Sequence, residues 1–84
     1  MKKVVIYTTS SCPYCLRAKT LLERKHIEYE EINVEDNEEL KQEMTTKAGG
    51  RKSVPQIFIA DHHIGGCDDL YELDGQGKLA SLLL

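Results

Sequence analysis

The chain has 84 residues, 40% hydrophobic and 30% charged, which suits one small globular domain (residues 1–84) and excludes a disordered polar segment. Eleven Lys and Arg against fourteen Asp and Glu give a formal net charge of −3, so no basic surface points to a nucleic-acid partner. No apolar run approaches the roughly 18 residues of a membrane span.

Met1-Lys2-Lys3 precedes an apolar run of only Val4 to Tyr7, shorter than a secretory signal needs, so a cytoplasmic location is expected. The run lacks alternation, the mark of a strand covered on both faces. Thr8 to Ser11 then form a small polar loop leading into Cys12-Pro13-Tyr14-Cys15. Pro13 suits a first helical position, where its missing N–H costs nothing. Cys15, Ala18, Leu21 and Leu22 mark an apolar stripe, with Arg17, Lys19, Glu23 and Arg24 on the wet side. This helix is expected to end near Lys25-His26.

Ile27 to Val34 reads as a second strand, parallel to the first in a right-handed βαβ unit. Its alternation slips between Tyr29 and Ile32, which predicts an edge strand with a bulge. Asp36 or Asn37 caps a second helix with acids in its first turn, carrying Leu40, Met44 and Ala48 and stopped by Gly49-Gly50. After the basic loop Arg51-Lys52-Ser53, Val54-Pro55 leads into a third strand, Gln56 to Ala60, where proline at the head forgoes only a ladder donor. A turn at Asp61-His62 predicts an antiparallel partner through His63-Ile64. Gly65-Gly66 turns the chain, Cys67-Asp68-Asp69 opens a third helix, and Leu79, Leu82 and Leu83 close a short fourth. The order β-α-β-α-β-β-α(-α) predicts an α/β fold: a four-stranded mixed sheet with helices on both faces.

Two thiols three apart at a helix start can close into a disulfide ring and reopen. Cys12 would sit where free N–H groups and the helix dipole favour its thiolate, the nucleophile of exchange chemistry. Cys15, one turn further in, would be more buried and act second. Three cysteines fit a reducing compartment better than a disulfide framework. The competing reading is half a zinc site, completed by Cys67, His62 and His63. Against it, His26, His62 and His63 read as solvated loop residues, Cys67 as a small residue in the packing, and the acids from Glu28 to Glu43 as a wet face and helix cap.

Four signals together, Cys12-Pro13-Tyr14-Cys15 after a strand, Ser53-Val54-Pro55 before one, Gly65-Gly66 after a hairpin and Asp68-Asp69 at a helix start, resemble a small bacterial dithiol glutaredoxin over essentially the whole chain. The resemblance implies the thioredoxin fold and glutathione-dependent reduction of protein disulfides and glutathione mixed disulfides by Cys12 and Cys15. It implies a cis Pro55, with the backbone of Val54 pairing with the cysteine part of glutathione like an added strand. The γ-glutamyl carboxylate would meet the N–H groups of Cys67 and Asp68 beside Gly66, and the Asp68 carboxylate would meet the ammonium. Gln42, with Arg51 and Lys52, would face the glycyl carboxylate, and Tyr14 would line the groove. The implied partners are glutathione as co-substrate and disulfide-containing or glutathionylated proteins, ribonucleotide reductase among them. A monomer with no metal site and no tightly bound cofactor is expected. One departure is Thr9, where many relatives carry lysine, so helix dipole and N–H groups must favour the thiolate with less help. The alternatives are a thioredoxin-like electron donor that does not use glutathione and a carrier of an iron–sulfur cluster or metal.

Overall fold

Val4–Thr8 (β1) lacks alternation because it lies inside the sheet and buries both faces: Val4 and Ile6 enter one apolar cluster, Val5 and Tyr7 the other. In the computed structural model, which describes residues 1–84, β1 is joined by Glu30–Asn33 (β2), Gln56–Ile59 (β3) and His62–Gly65 (β4). The strand order is β2-β1-β3-β4; β2 runs parallel to β1, and the other two pairings are antiparallel.

Helices Pro13–Arg24 (α1), Cys67–Gly75 (α3) and Leu79–Leu83 (α4) cover one face of the sheet. Ala18, Leu21 and Leu22 of α1 pack with Ile57, Ile59, Leu70, Leu79 and Leu83 in the larger cluster. Each fully buried leucine or isoleucine there contributes about 1.5–3 kcal/mol. Glu38–Lys47 (α2) covers the opposite face, where Met44 and Ala48 meet Tyr7, Val34 and Phe58. Asn37 caps α2, its side-chain oxygen accepting from the Leu40 N–H at 3.0 Å. The predicted four-stranded mixed sheet with helices on both faces is therefore present, as is the thioredoxin-fold element order, with α4 added.

Three expectations shift. β2 is an edge strand, but it spans only Glu30–Asn33, and its register with β1 is unbroken. Ile27 is buried ahead of the strand, its N–H held by the Leu22 carbonyl at 2.9 Å. The irregularity expected in β2 lies instead between β3 and β4, where the register moves between Ile57 and Phe58. The hairpin turns on Ala60 and Asp61, both at positive φ (50° and 66°), so His62 begins β4 rather than finishing the turn. Two left-handed residues match the twist of a two-residue hairpin, and strand pairing overrides alanine's dislike of that region. His62 and His63 accordingly belong to a strand rather than a loop, though both are solvent-exposed as expected.

Candidate active site

Thr8 ends the central strand, and the chain needs four residues to reach α1. Cys12 is the N-cap, extended at φ −129° and ψ 101°, and Pro13 follows in the first turn. The Cys12 sulfur accepts the N–H of Cys15 at 3.1 Å, so one orphan donor of the helix start points straight at it. Cys12 and Cys15, with Cα atoms 5.2 Å apart, are joined as a disulfide. Cys12 is half-buried, whereas Cys15 is only 1% exposed. That asymmetry fits one sulfur for attack and one for resolution.

The Val54–Pro55 bond is cis, as expected. Pro55 is buried, and the Val54 carbonyl oxygen lies 3.8 Å from the Cys12 sulfur. Neither the N–H nor the C=O of Val54 enters a backbone hydrogen bond, so both remain available to an extended ligand beside the dithiol. On the α2 side of Val54 a groove of about 570 Å³ is lined by Thr9, Lys41, Gln42, Lys52 and Val54 among others. Gln42 and Lys52, expected near one carboxylate, thus share a groove with Val54.

On the other side lies the start of α3. Gly65 adopts φ +122°, and a side chain there would run into that of Asp69. Asp69 accepts the Gly66 N–H at 2.8 Å and the Arg51 guanidinium at 3.3 Å. The Gly66 bond, opposed by burial and helped by Arg51, holds the Asp69 carboxyl below its ordinary range. Cys67 and Asp68 occupy the first positions of α3, where N–H groups have no partner within the helix; Cys67 is buried and Asp68 exposed. Burial pushes the Cys67 thiol up, against the attraction of Arg17. Tyr14 is 53% exposed, and the Arg17 guanidinium sits 5.5 Å from its ring and 5.8 Å from that of Tyr71.

The structure separates Arg51 from Lys52: the guanidinium turns to Asp69 at the α3 end, while Lys52 lines the α2 groove. Sequence reasoning gave Asp69 no role of its own. Its signal was present in the spacing, an acid three residues after a helix cap. No three or more His, Cys, Asp or Glu side chains converge as a metal set in this structure.

Such a site can exchange disulfides: a partly exposed sulfur at a helix start, a buried second sulfur, and an unpaired backbone edge next to them. Comparison with known proteins agrees. The glutaredoxin family model matches residues 4–64. A probable glutaredoxin of Synechocystis is 53% identical over 81 residues, covering 96% of this chain and 92% of that protein. The solution structure of a glutaredoxin from Brucella melitensis superposes with a TM-score of 0.87 at 54% identity, over 99% of this chain and 89% of that one. The crystal structure of a buckwheat glutaredoxin–glutathione complex superposes with a TM-score of 0.86 at 30% identity, over 95% of this chain and 74% of that one.

Proposed function

The chain belongs to the glutaredoxin family and is a thiol–disulfide oxidoreductase; on that premise we propose that its electrons come from glutathione, bound between α2 and the start of α3. The observation that carries this is the unpaired Val54 backbone, 3.8 Å from the Cys12 sulfur and flanked by cations on one side and free helix N–H groups on the other. A tripeptide with a central cysteine and a carboxylate at each end matches that order. The similarity to a glutaredoxin whose structure includes glutathione supports it.

In the proposed reaction the Cys12 thiolate attacks the glutathione sulfur of a mixed disulfide. The substrate leaves as thiolate and takes a proton, and glutathione stays on Cys12. A second glutathione thiolate attacks the glutathionyl sulfur, releasing oxidised glutathione and the Cys12 thiolate. With a protein disulfide, Cys15 attacks Cys12 instead, expelling the substrate's second thiol and closing the Cys12–Cys15 bond, which two glutathiones reopen. Val54 with Pro55 aligns the cysteine moiety. Gln42 and Lys52 meet the glycyl carboxylate, Cys67 and Asp68 the γ-glutamyl end, with Gly66 allowing close approach and Arg51 holding Asp69 in place. Tyr14 borders the groove. The working form is a monomer, one domain over residues 1–84, in a cytoplasmic compartment that keeps thiols reduced. Glutathionylated and disulfide proteins, ribonucleotide reductase among them, are its substrates.

The test is a glutathione-coupled disulfide reductase assay on wild type, Cys12→Ser and Cys15→Ser. Cys12→Ser abolishes all turnover, whereas Cys15→Ser keeps reduction of glutathionylated substrates and loses most dithiol reduction. Turnover with thioredoxin reductase but not with glutathione would favour the thioredoxin-like donor instead.

A further inference from the structure

Gln56 follows the cis-proline, and its side chain is completely buried, so its amide must find partners inside the protein. It folds back three residues: Nε2 donates to the Ser53 carbonyl at 3.0 Å and faces the Ser53 hydroxyl at 3.3 Å. A carbonyl can only accept, which fixes the amide orientation and turns Oε1 toward His63, whose Nε2 lies 2.6 Å away. An amide oxygen can only accept, so the His63 Nε2 carries the proton. The hairpin register sets His63 opposite Phe58, before the slip, and their rings lie with centroids 5.1 Å apart and planes tilted by 37°. Gln56 and Phe58, two apart on β3, share that face.

We infer that His63 and Gln56 are positioning residues: a hydrogen-bonded relay from the β4 edge braces the Ser53–Pro55 turn and keeps the Val54 backbone presented to Cys12 and to the bound tripeptide. The inference rests on the glutathione reading above. Neither residue touches the reacting sulfurs; each acts through the turn. Ser53 itself is exposed, and the Val54 backbone makes no backbone–backbone hydrogen bond; only the Cys12 sulfur faces its carbonyl, at 3.8 Å. The Val54 side chain packs against the cluster around Tyr7 and Phe58, and the relay adds the side-chain hydrogen bonds that join this turn to the sheet.

The experiment measures steady-state kinetics with a glutathionylated peptide for wild type, His63→Leu, His63→Gln and, as a control on the same strand, His62→Leu. His63→Leu raises KM about fivefold, the loss of one ordinary hydrogen bond, with kcat changed less than about twofold. His63→Gln, which keeps an N–H donor at similar reach, restores the wild-type KM, and His62→Leu leaves it unchanged. A His63→Leu variant with lower thermal stability but wild-type KM overturns the positioning role while the glutathione reading stands. No turnover by the wild type with the glutathionylated peptide overturns that reading and this inference together. Nitrogen NMR of wild-type imidazoles supplies a readout that needs no variant to fold: His63 is the Nε2–H tautomer, and finding Nδ1–H overturns the relay.

Discussion

The sulfur of Cys12 lies 3.8 Å from the carbonyl oxygen of Val54, although 42 residues separate them in the chain. One comes from the start of α1 and the other from the turn before β3. They meet because β1 and β3 are antiparallel neighbours, so the exit of one strand and the entrance of the other share an end of the sheet. Whatever binds along Val54 is thereby laid against the sulfur.

Exposure and local donors set an order of reactivity among the three thiols. In the reduced protein at neutral pH, iodoacetamide should modify Cys12 about tenfold or more faster than Cys15. Cys67, buried and with its thiol pushed up by that burial, should stay unmodified. Peptide mapping by mass spectrometry checks this, and early labelling at Cys67 would contradict it.

Thr9 lines the groove beside Val54 and brings no charge to it. Thr9→Lys should raise the ionisation constant of the reduced Cys12 thiol about threefold, the effect of one partly exposed cation. Ultraviolet absorbance of the thiolate reads it across a pH titration. An unchanged curve would show that the helix start alone holds the anion.

The Asp69 carboxyl titrates below its ordinary 3.8 in the folded protein, first because the Gly66 N–H donates to it. Its contribution is thus complete above that ordinary value and is lost as pH falls through the lower folded one. Asp69→Ala should cost about 1 kcal/mol at pH 7, as loss of a helix-start acceptor does. The gap between the two proteins in urea melts should stay constant down to about pH 4 and narrow below it.

Gly65→Ala meets two obstacles, a φ of +122° and the side chain of Asp69. About 2 kcal/mol or more of destabilisation is expected, with a rise in KM for glutathionylated peptide because the α3 start must shift. Urea denaturation and the same kinetic assay measure both. A variant as stable as wild type would mean that the turn relaxes freely.

Local patterns carried most of the architecture. The unalternating Val4–Tyr7 announced a strand covered on both faces, Pro13 the start of α1, Asp36 or Asn37 the start of α2, where Asn37 is the cap, and Gly49-Gly50 its end. What pairing decides could not be read locally. Ala60 is a poor left-handed residue, so residue preference moved the turn one place on, to Asp61-His62, whereas the ladder Ile59–His62 fixes it at Ala60-Asp61. The bulge likewise follows from how β4 meets β3, not from the composition of Tyr29 to Ile32. At the site, cysteine spacing was legible in the residues themselves, whereas the cis Pro55 followed only from the family resemblance. The division of labour between Arg51 and Lys52 was not, because it depends on Asp69, eighteen residues further on, reaching the guanidinium. The Gln56–His63 contact spans a hairpin and leaves no trace in periodicity.

Every chemically engaged segment emerges at one pole of the sheet: the exit of β1, the entrance of β3 and the exit of β4. The hairpin at Ala60-Asp61 and the bend at His26 occupy the other pole, a full strand length away. Fluorophores, spin labels or short inserted epitopes placed at Ala60-Asp61 can therefore report on the working molecule without crowding its sulfurs.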